Sequence, residues 1–249
     1  MRLPGPGAGY IKGLNEARRT PTEPPMFFCL PVNVDDSHSR PTVPVANSVL
    51  IAVNVLAYWF SHNMVVGPAT GPLSVITYAF AHASIMHLLG NMWVLWVFGN
   101  PVNRRIGNGY YALAYLGSVL AIGVLARVLS ADAIVGSSGA IFCVMAICLL
   151  LLPAAPVEVF YIAIFPLTIL VGLVSKPPHG LFWFIRWDRF KARAVWGLLI
   201  VPALELWGLF WWGWNWTNLG HLLGLLCGLA VVLLLPTRIT MNRRPAFSA

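Results

Sequence analysis

The sequence predicts an all-α polytopic membrane protein, a bundle of six transmembrane helices. Three observations predict it. Of the 249 residues, 58% are hydrophobic and only 10% charged, whereas a soluble domain carries about 25% charged residues. Apolar runs recur between Pro, Gly and charged residues, and several approach the ~20 residues that cross a bilayer. The positive charges are distributed asymmetrically among the intervening loops.

The first 43 residues contain Pro, Gly and charges of both signs but no apolar signal core. They are expected to form a mobile cytosolic tail, 1–43, in which "MFFCLPVN" from Met26 offers an alternative start. A membrane domain, 44–236, follows, and 237–249 reads as a second cytosolic tail. Five runs are clear spans: Val45–Phe60, Ile85–Asn100, Tyr110–Leu129, Ser138–Pro153 and Leu219–Leu235. Two stretches between the fourth and last are ambiguous, Val157–Ser175 and Val195–Trp212.

Charge decides between six spans and seven. With six, 15 of the 16 Lys and Arg residues fall on one side, Arg127 alone being outside. The positive-inside rule makes that side cytoplasmic. If both ambiguous stretches crossed, Lys176, Arg186, Arg189, Lys191 and Arg193 would lie outside. Val195–Trp212 is therefore the expected span, joined to the last by the short connection Gly213–Asn218. Val157–Ser175 is expected to dip into the membrane or lie along it. The net charge of +8 then reflects topology and attraction to anionic lipid, and calls for no nucleic acid.

This topology gathers polar residues on one face. Ser138 stands at the outer end of span four, in Gly136-Ser137-Ser138-Gly139. His221 lies in the first turn of the last span. His87 and Asn91 are four residues apart in span two and share a helix face. Each alone has a plain explanation: small residues pack helices, a lone His is often an interfacial or satisfied core residue, and Asn can bond between helices. Their joint placement at one depth favours function, since intramembrane polar groups are costly. Gly220, Gly224 and Gly228, spaced by four, form a stripe that lets the last helix approach a neighbour closely.

"FAHASIMHLLGNM" (Phe80–Met92), "GSSGA" (Gly136–Ala140) and "GHLLGLLCG" (Gly220–Gly228) resemble the three signatures of the rhomboid family of intramembrane serine proteases. Their order and spacing match, over roughly Val45 to Leu235. The resemblance implies a six-helix rhomboid-like bundle with a water-filled cavity open to the outside. It implies a Ser138–His221 catalytic dyad and an oxyanion site from His87, Asn91 and the Ser138 backbone N–H, with His82 in support. It implies single-pass transmembrane proteins as substrates, cut near the outer end of their helices, and no cofactor. Three departures stand out, one being that Val157–Ser175 is longer and more apolar than expected for the connection between spans four and five. "ITYAFAH" occupies the first loop where some relatives carry a Trp-Arg pair. Asn103 takes the place of an acidic residue after span two, which is expected to weaken an internal polar tie.

The chemistry fits those roles. A serine hydroxyl needs a base to take its proton, and His221 can serve. No Asp or Glu is expected to orient that histidine: Asp132 is in a loop, and Glu205 reads as bonded within the bundle. Phe142, one turn below Ser138, is either a platform for the ring or a plain core aromatic. Gly136 and Gly139 permit a tight turn and close backbone approach. Arg127 is expected to snorkel outward. A zinc enzyme built on His82, His87 and His221 is the main rival, but no H-E-x-x-H and no nearby acid accompany them. A non-catalytic relative binding transmembrane partners would be expected to lack the Ser or the His. A transporter lacks support, since neither an internal repeat nor a charged relay is visible. The four cysteines imply no disulfide framework. Six spans point to a bacterial plasma membrane, with both termini cytoplasmic and the site on the far side.

Overall fold

A computed structural model describes residues 26–37, 43–60, 65–67, 69–129, 134–166, 183–213 and 215–240. The chain divides into two compact units. The larger, residues 31–159 and 190–249, holds the helices and every residue of the candidate site. The smaller comprises 1–30 and 160–189; its described part consists of strand segments 26–30, 160–166 and 183–189.

In chain order the elements are β1 (Met26–Val34), α1 (Val45–Tyr58), α2 (Ser74–Thr77, continued by the 3-10 turn Tyr78–Phe80) and α3 (Ile85–Ile106). Then come α4 (Asn108–Leu129), α5 (Ser138–Leu151), β2 (Pro156–Pro166), β3 (Trp183–Arg193), α6 (Gly197–Trp212), α7 (Trp216–Leu234) and the single turn α8 (Thr237–Thr240).

Helices occupy all six stretches expected to span. Three of them are long and apolar enough to cross on their own: Asn108–Leu129, Ala194–Trp211 and Trp216–Leu234. A fourth results if the pair Ser74–Phe80 and Ile85–Ile106, bent by 92°, is taken as one span. The remaining two, α1 and α5, have 14 residues each, or about 21 Å of helix against a hydrocarbon core of about 30 Å. For α5 the shortness has a packing reason: every residue from Gly139 to Leu149 except Phe142 is buried, so the helix is enclosed by protein and need not match the lipid.

The outer helices show the opposite pattern. On α4, Leu113, Leu116, Leu120 and Val124 are exposed along one face, while Tyr111, Tyr115, Val119 and Ile122 are buried on the other. On α6, Leu199, Leu204, Trp207 and Phe210 are exposed. Apolar faces of this extent are rare on soluble monomers and suit contact with lipid. The protein is an integral membrane protein of mostly helical fold.

The three-stranded sheet, in the order β1-β2-β3, corrects an all-helical expectation. Val157–Ser175 was expected as a dipping or interfacial segment; its described part, up to Pro166, is strand β2. The sequence "PVEVFYIAIFP" is rich in β-branched and aromatic residues bounded by Pro, and an apolar run of that length reads equally as helix or strand. Residues 167–175 lie outside the described residues. Within the expected tail 1–43, residues 26–34 form β1, and residues 1–25 lie outside the described residues. Asn103 also behaves differently from expectation. It is buried, accepts the Asn47 N–H at 2.9 Å and donates to Asn108 at 2.8 Å, so a polar tie persists without a charge. Arg127 donates to the Thr70 carbonyl instead of reaching freely outward.

Candidate active site

Three helix N-termini build the site. Helix α3 starts at Ser84, whose Oγ accepts the His87 N–H at 3.1 Å. Helix α7 starts at Asn215, whose Oδ1 accepts the Thr217 N–H at 2.8 Å. Helix α5 starts at Ser138 itself, directly after Gly136 and Ser137. Gly136 has φ +108°, a conformation that glycine adopts at little cost. A Cβ there would also stand 2.8 Å from the His87 ring. The absence of a side chain thus sets the turn and admits the histidine. The Gly136 N–H donates to the Tyr78 carbonyl at 2.9 Å, which fixes the turn against the segment preceding α3.

Close approach of α7 to α5 brings Ser138 and His221 together. A Cβ on Gly224 would collide with the Gly139 carbonyl, and one on Gly228 would lie 2.5 Å from the Cys143 carbonyl oxygen. Gly220 differs from its two partners in the stripe, for nothing lies within 4 Å of a Cβ placed there. With the backbones this near, Ser138 Oγ and His221 Nε2 are 2.9 Å apart. The imidazole lies flat on Phe142, with ring centroids 4.1 Å apart and planes inclined by 8°. Of the two expectations for Phe142, the ring contact matches the platform.

The other imidazole nitrogen overturns an expectation. His221 Nδ1 stands 3.0 Å from Glu205 Oε1. Glu205 was expected to bond elsewhere in the bundle, with no acid at the histidine. The carboxylate's second oxygen, Oε2, accepts from Asn218 Nδ2 at 2.7 Å. The physical reason lies in the α6–α7 connection. The chain turns at Gly213, φ +78°, and Glu205 and His221 lie eight residues before and after it. Two helices leaving one turn at equal rise per residue bring such positions to the same depth. That mirror spacing was the signal available in the sequence. Asn218 went unnoticed for the same reason.

The remaining expected residues surround the same space. His87, Asn91, Ser138, Phe142 and His221 line one cavity of about 430 Å³, with Thr217 and the backbone-bearing Ala83, Ile134 and Val135 completing its wall. Among the described residues, the Asn91 side-chain N–H₂ is buried without a hydrogen-bond partner. A buried, unpaired donor costs free energy unless something occupies it. The Ser138 N–H is among the first four of α5, which have no acceptor within the helix. His82 is buried rather than at the cavity wall; its Nε2 lies 3.4 Å from Ser137 Oγ, and its ring packs edge-on against His87 at 5.2 Å. Among the described residues no group of three His, Cys, Asp or Glu side chains converges as metal ligands would.

The comparisons with known proteins bear on the family of the chain. The family model described as "Rhomboid domain" matches residues 69–238, more than half of the chain and every residue of the site. The chain is similar to "Rhomboid protein 1, mitochondrial" of Saccharomyces cerevisiae, 28% identical over 145 residues. The alignment covers 55% of this chain and 42% of the yeast protein, so less than half of that relative's length is represented. The serine and the histidine bonded to it from a second helix both lie within the matched residues, and a match over more than half of the chain supports one assignment: the chain belongs to the rhomboid family.

Proposed function

We propose that this chain is an active endopeptidase that hydrolyses peptide bonds in or near the outer end of single-pass transmembrane helices, with Ser138 as nucleophile and His221 as base. The 2.9 Å hydrogen bond between Ser138 Oγ and His221 Nε2 carries the reading. It spans two helices, and Gly224 and Gly228 allow the close approach that it needs.

In the proposed reaction the Ser138 Oγ attacks the scissile carbonyl carbon while its proton passes to His221 Nε2. Negative charge develops on the carbonyl oxygen. Asn91 Nδ2, the Ser138 N–H and the His87 ring are the donors that would face it, at a site where three helix N-termini add positive potential. His221 then gives its proton to the leaving amine. A water from the cavity repeats the sequence on the acyl-enzyme and frees the serine.

Six crossings remain our reading of the topology. An open three-stranded sheet leaves edge N–H and C=O groups that hydrocarbon cannot satisfy, which supports keeping β2 out of the count of spans. The cavity then opens on the extracytoplasmic side, with both termini cytoplasmic. A bacterial plasma membrane fits this count, while the mitochondrial location in the yeast relative's name concerns that protein. The decisive experiment incubates detergent-purified protein with a generic transmembrane-helix substrate, with and without a serine-directed phosphonate. Cleavage that the phosphonate stops, with label on Ser138, is the expected result. Cleavage that a zinc chelator stops instead would replace this reading with a histidine–metal one.

A further inference from the structure

We infer that Glu205 is the positioning residue for His221, so that the working unit is Ser138–His221–Glu205 with Asn218 as its anchor, and not a bare Ser-His pair. The inference rests on the serine-protease reading above.

Glu205 is the one charged residue between Gly197 and Trp212. A carboxylate in such a helix is costly, and one kept there marks a functional partner by default. Its side chain is only 13% exposed and that of His221 17%, although much of α6 faces outward. Both oxygens are engaged, Oε1 with His221 Nδ1 at 3.0 Å and Oε2 with Asn218 Nδ2 at 2.7 Å.

The donor inventory then sets the tautomer. An ionised carboxylate only accepts, so the bond to Oε1 requires the proton on Nδ1. That leaves Nε2 bare, facing the Ser138 hydroxyl at 2.9 Å, as a general base must be. Once His221 has taken the serine proton, the imidazolium carries its new charge 3.0 Å from the carboxylate oxygen, in a setting that water screens little. The anchor is itself accommodated. A Cβ on Gly208 would fall 2.7 Å from Asn218 Nδ2, so the glycine three residues beyond Glu205 leaves Asn218 its place.

The test uses the full chain in detergent with a transmembrane-helix substrate and a phosphonate. Glu205→Gln keeps the shape but can turn its amide N–H₂ toward Nδ1, which holds the wrong tautomer. We expect kcat to fall about 10²–10⁴-fold, as when the orienting carboxylate of soluble serine proteases becomes an amide, with KM changed less than about threefold. The rate of phosphonate labelling at Ser138 should fall in parallel. In a His221→Ala background the same change should cost nothing further, because residues acting as a unit are not additive. Glu205→Gln that turns over at the wild-type rate overturns the inference. So does a variant whose thermal stability and KM change while labelling does not, which is what a merely structural ion pair would give. Should Glu205→Gln not fold, Asn218→Ala decides: it retains the carboxylate and loses the bonds from Asn218 Nδ2 to Oε2 and to the Glu205 carbonyl, for an expected slowing of labelling by about 3–10-fold, and unchanged labelling refutes the inference. A wild-type protein that neither cleaves nor takes the label defeats the protease reading itself, which is a separate outcome.

Discussion

The closeness of α7 to α5 is the condition for everything proposed at the site, and it can be perturbed by a single methyl group. In Gly224→Ala the new Cβ would overlap the Gly139 carbonyl oxygen and stand 3.0 Å from its carbon and 3.1 Å from Phe142 Cβ. The obstacle is backbone, so no flexible side chain can yield. Restoring ordinary van der Waals separation needs a shift of about 1–1.5 Å between the helices, since carbon contacts are optimal at about 3.5–4.0 Å. His221 lies three residues before Gly224, on the same helix. Such a shift stretches the Ser138–His221 hydrogen bond from 2.9 Å to about 4 Å, where none exists. A misplacement of about 1 Å costs on the order of 10²-fold in rate, and overpacking costs about 1–3 kcal/mol of stability. Gly220→Ala is the matched control: a Cβ there meets nothing within 4 Å, so activity and melting temperature should hold. Cleavage of a transmembrane-helix substrate and thermal unfolding in detergent read both variants. Full activity in Gly224→Ala, or equal damage from Gly220→Ala, would refute the packing argument.

Ser138→Ala and His221→Ala should each abolish cleavage, by up to about 10⁶ in turnover, and the double variant should be no worse than either alone. Ser137→Ala should cost far less, since the Ser137 hydroxyl faces His82 and not His221. Asn91→Ala should lower turnover by about 10²–10³ while phosphonate labelling stays detectable, as for loss of one oxyanion donor; equal activity would return Asn91 to a helix-bonding role. Topology reporters fused after Asn108, Lys176 and Ala249 should report cytoplasm, and one after Ser130 the outside. An external reporter at Lys176 would refute the six-span count.

The site was legible where short motifs coincide with helix starts. Ser138, His221, His87 and Asn91 announce themselves as polar residues at the ends of apolar runs, and helical spacing fixes which of them share a face. The partner of His221 was not legible in that way. Glu205 sits in mid-run among Leu and Trp residues, and only folding α6 onto α7 about Gly213 brings it to the histidine. The helices were legible from hydropathy because each is an apolar run bounded by Pro, Gly or charge. The sheet was not, because β2 is apolar, short and charged only at Glu158, and β3 carries the charges that serve as a topology signal. Pairing between strands over 100 residues apart, such as β1 and β2, leaves no local trace.

The buried asparagines explain why the cavity end can be open without loosening the bundle. Asn47 is fully buried and takes part in every tie of a polar knot: its N–H donates to Asn103 at 2.9 Å, its amide to Asn100 at 2.8 Å and the Leu95 carbonyl at 3.1 Å, and its Oδ1 accepts Tyr111 at 2.6 Å. Two local departures make room. The π-helical turn Leu95–Gly99 shifts the backbone register, so a carbonyl becomes available to a side chain. A Cβ on Gly99 would lie 2.5 Å from both Asn47 Oδ1 and the Tyr111 hydroxyl. The knot joins α1, α3 and α4 some 13 residues along α3 from His87, about 20 Å away. Hydrogen bonds in a medium without water hold firmly only when every member is satisfied, and this set is. One end of α3 is thus pinned by satisfied amides, while its other end presents His87 and the unpaired Asn91 donor to a cavity. The same helix supplies rigidity at one end and an unmet hydrogen bond at the other, a division of labour that suits the proposed oxyanion site, where donors must be fixed in advance.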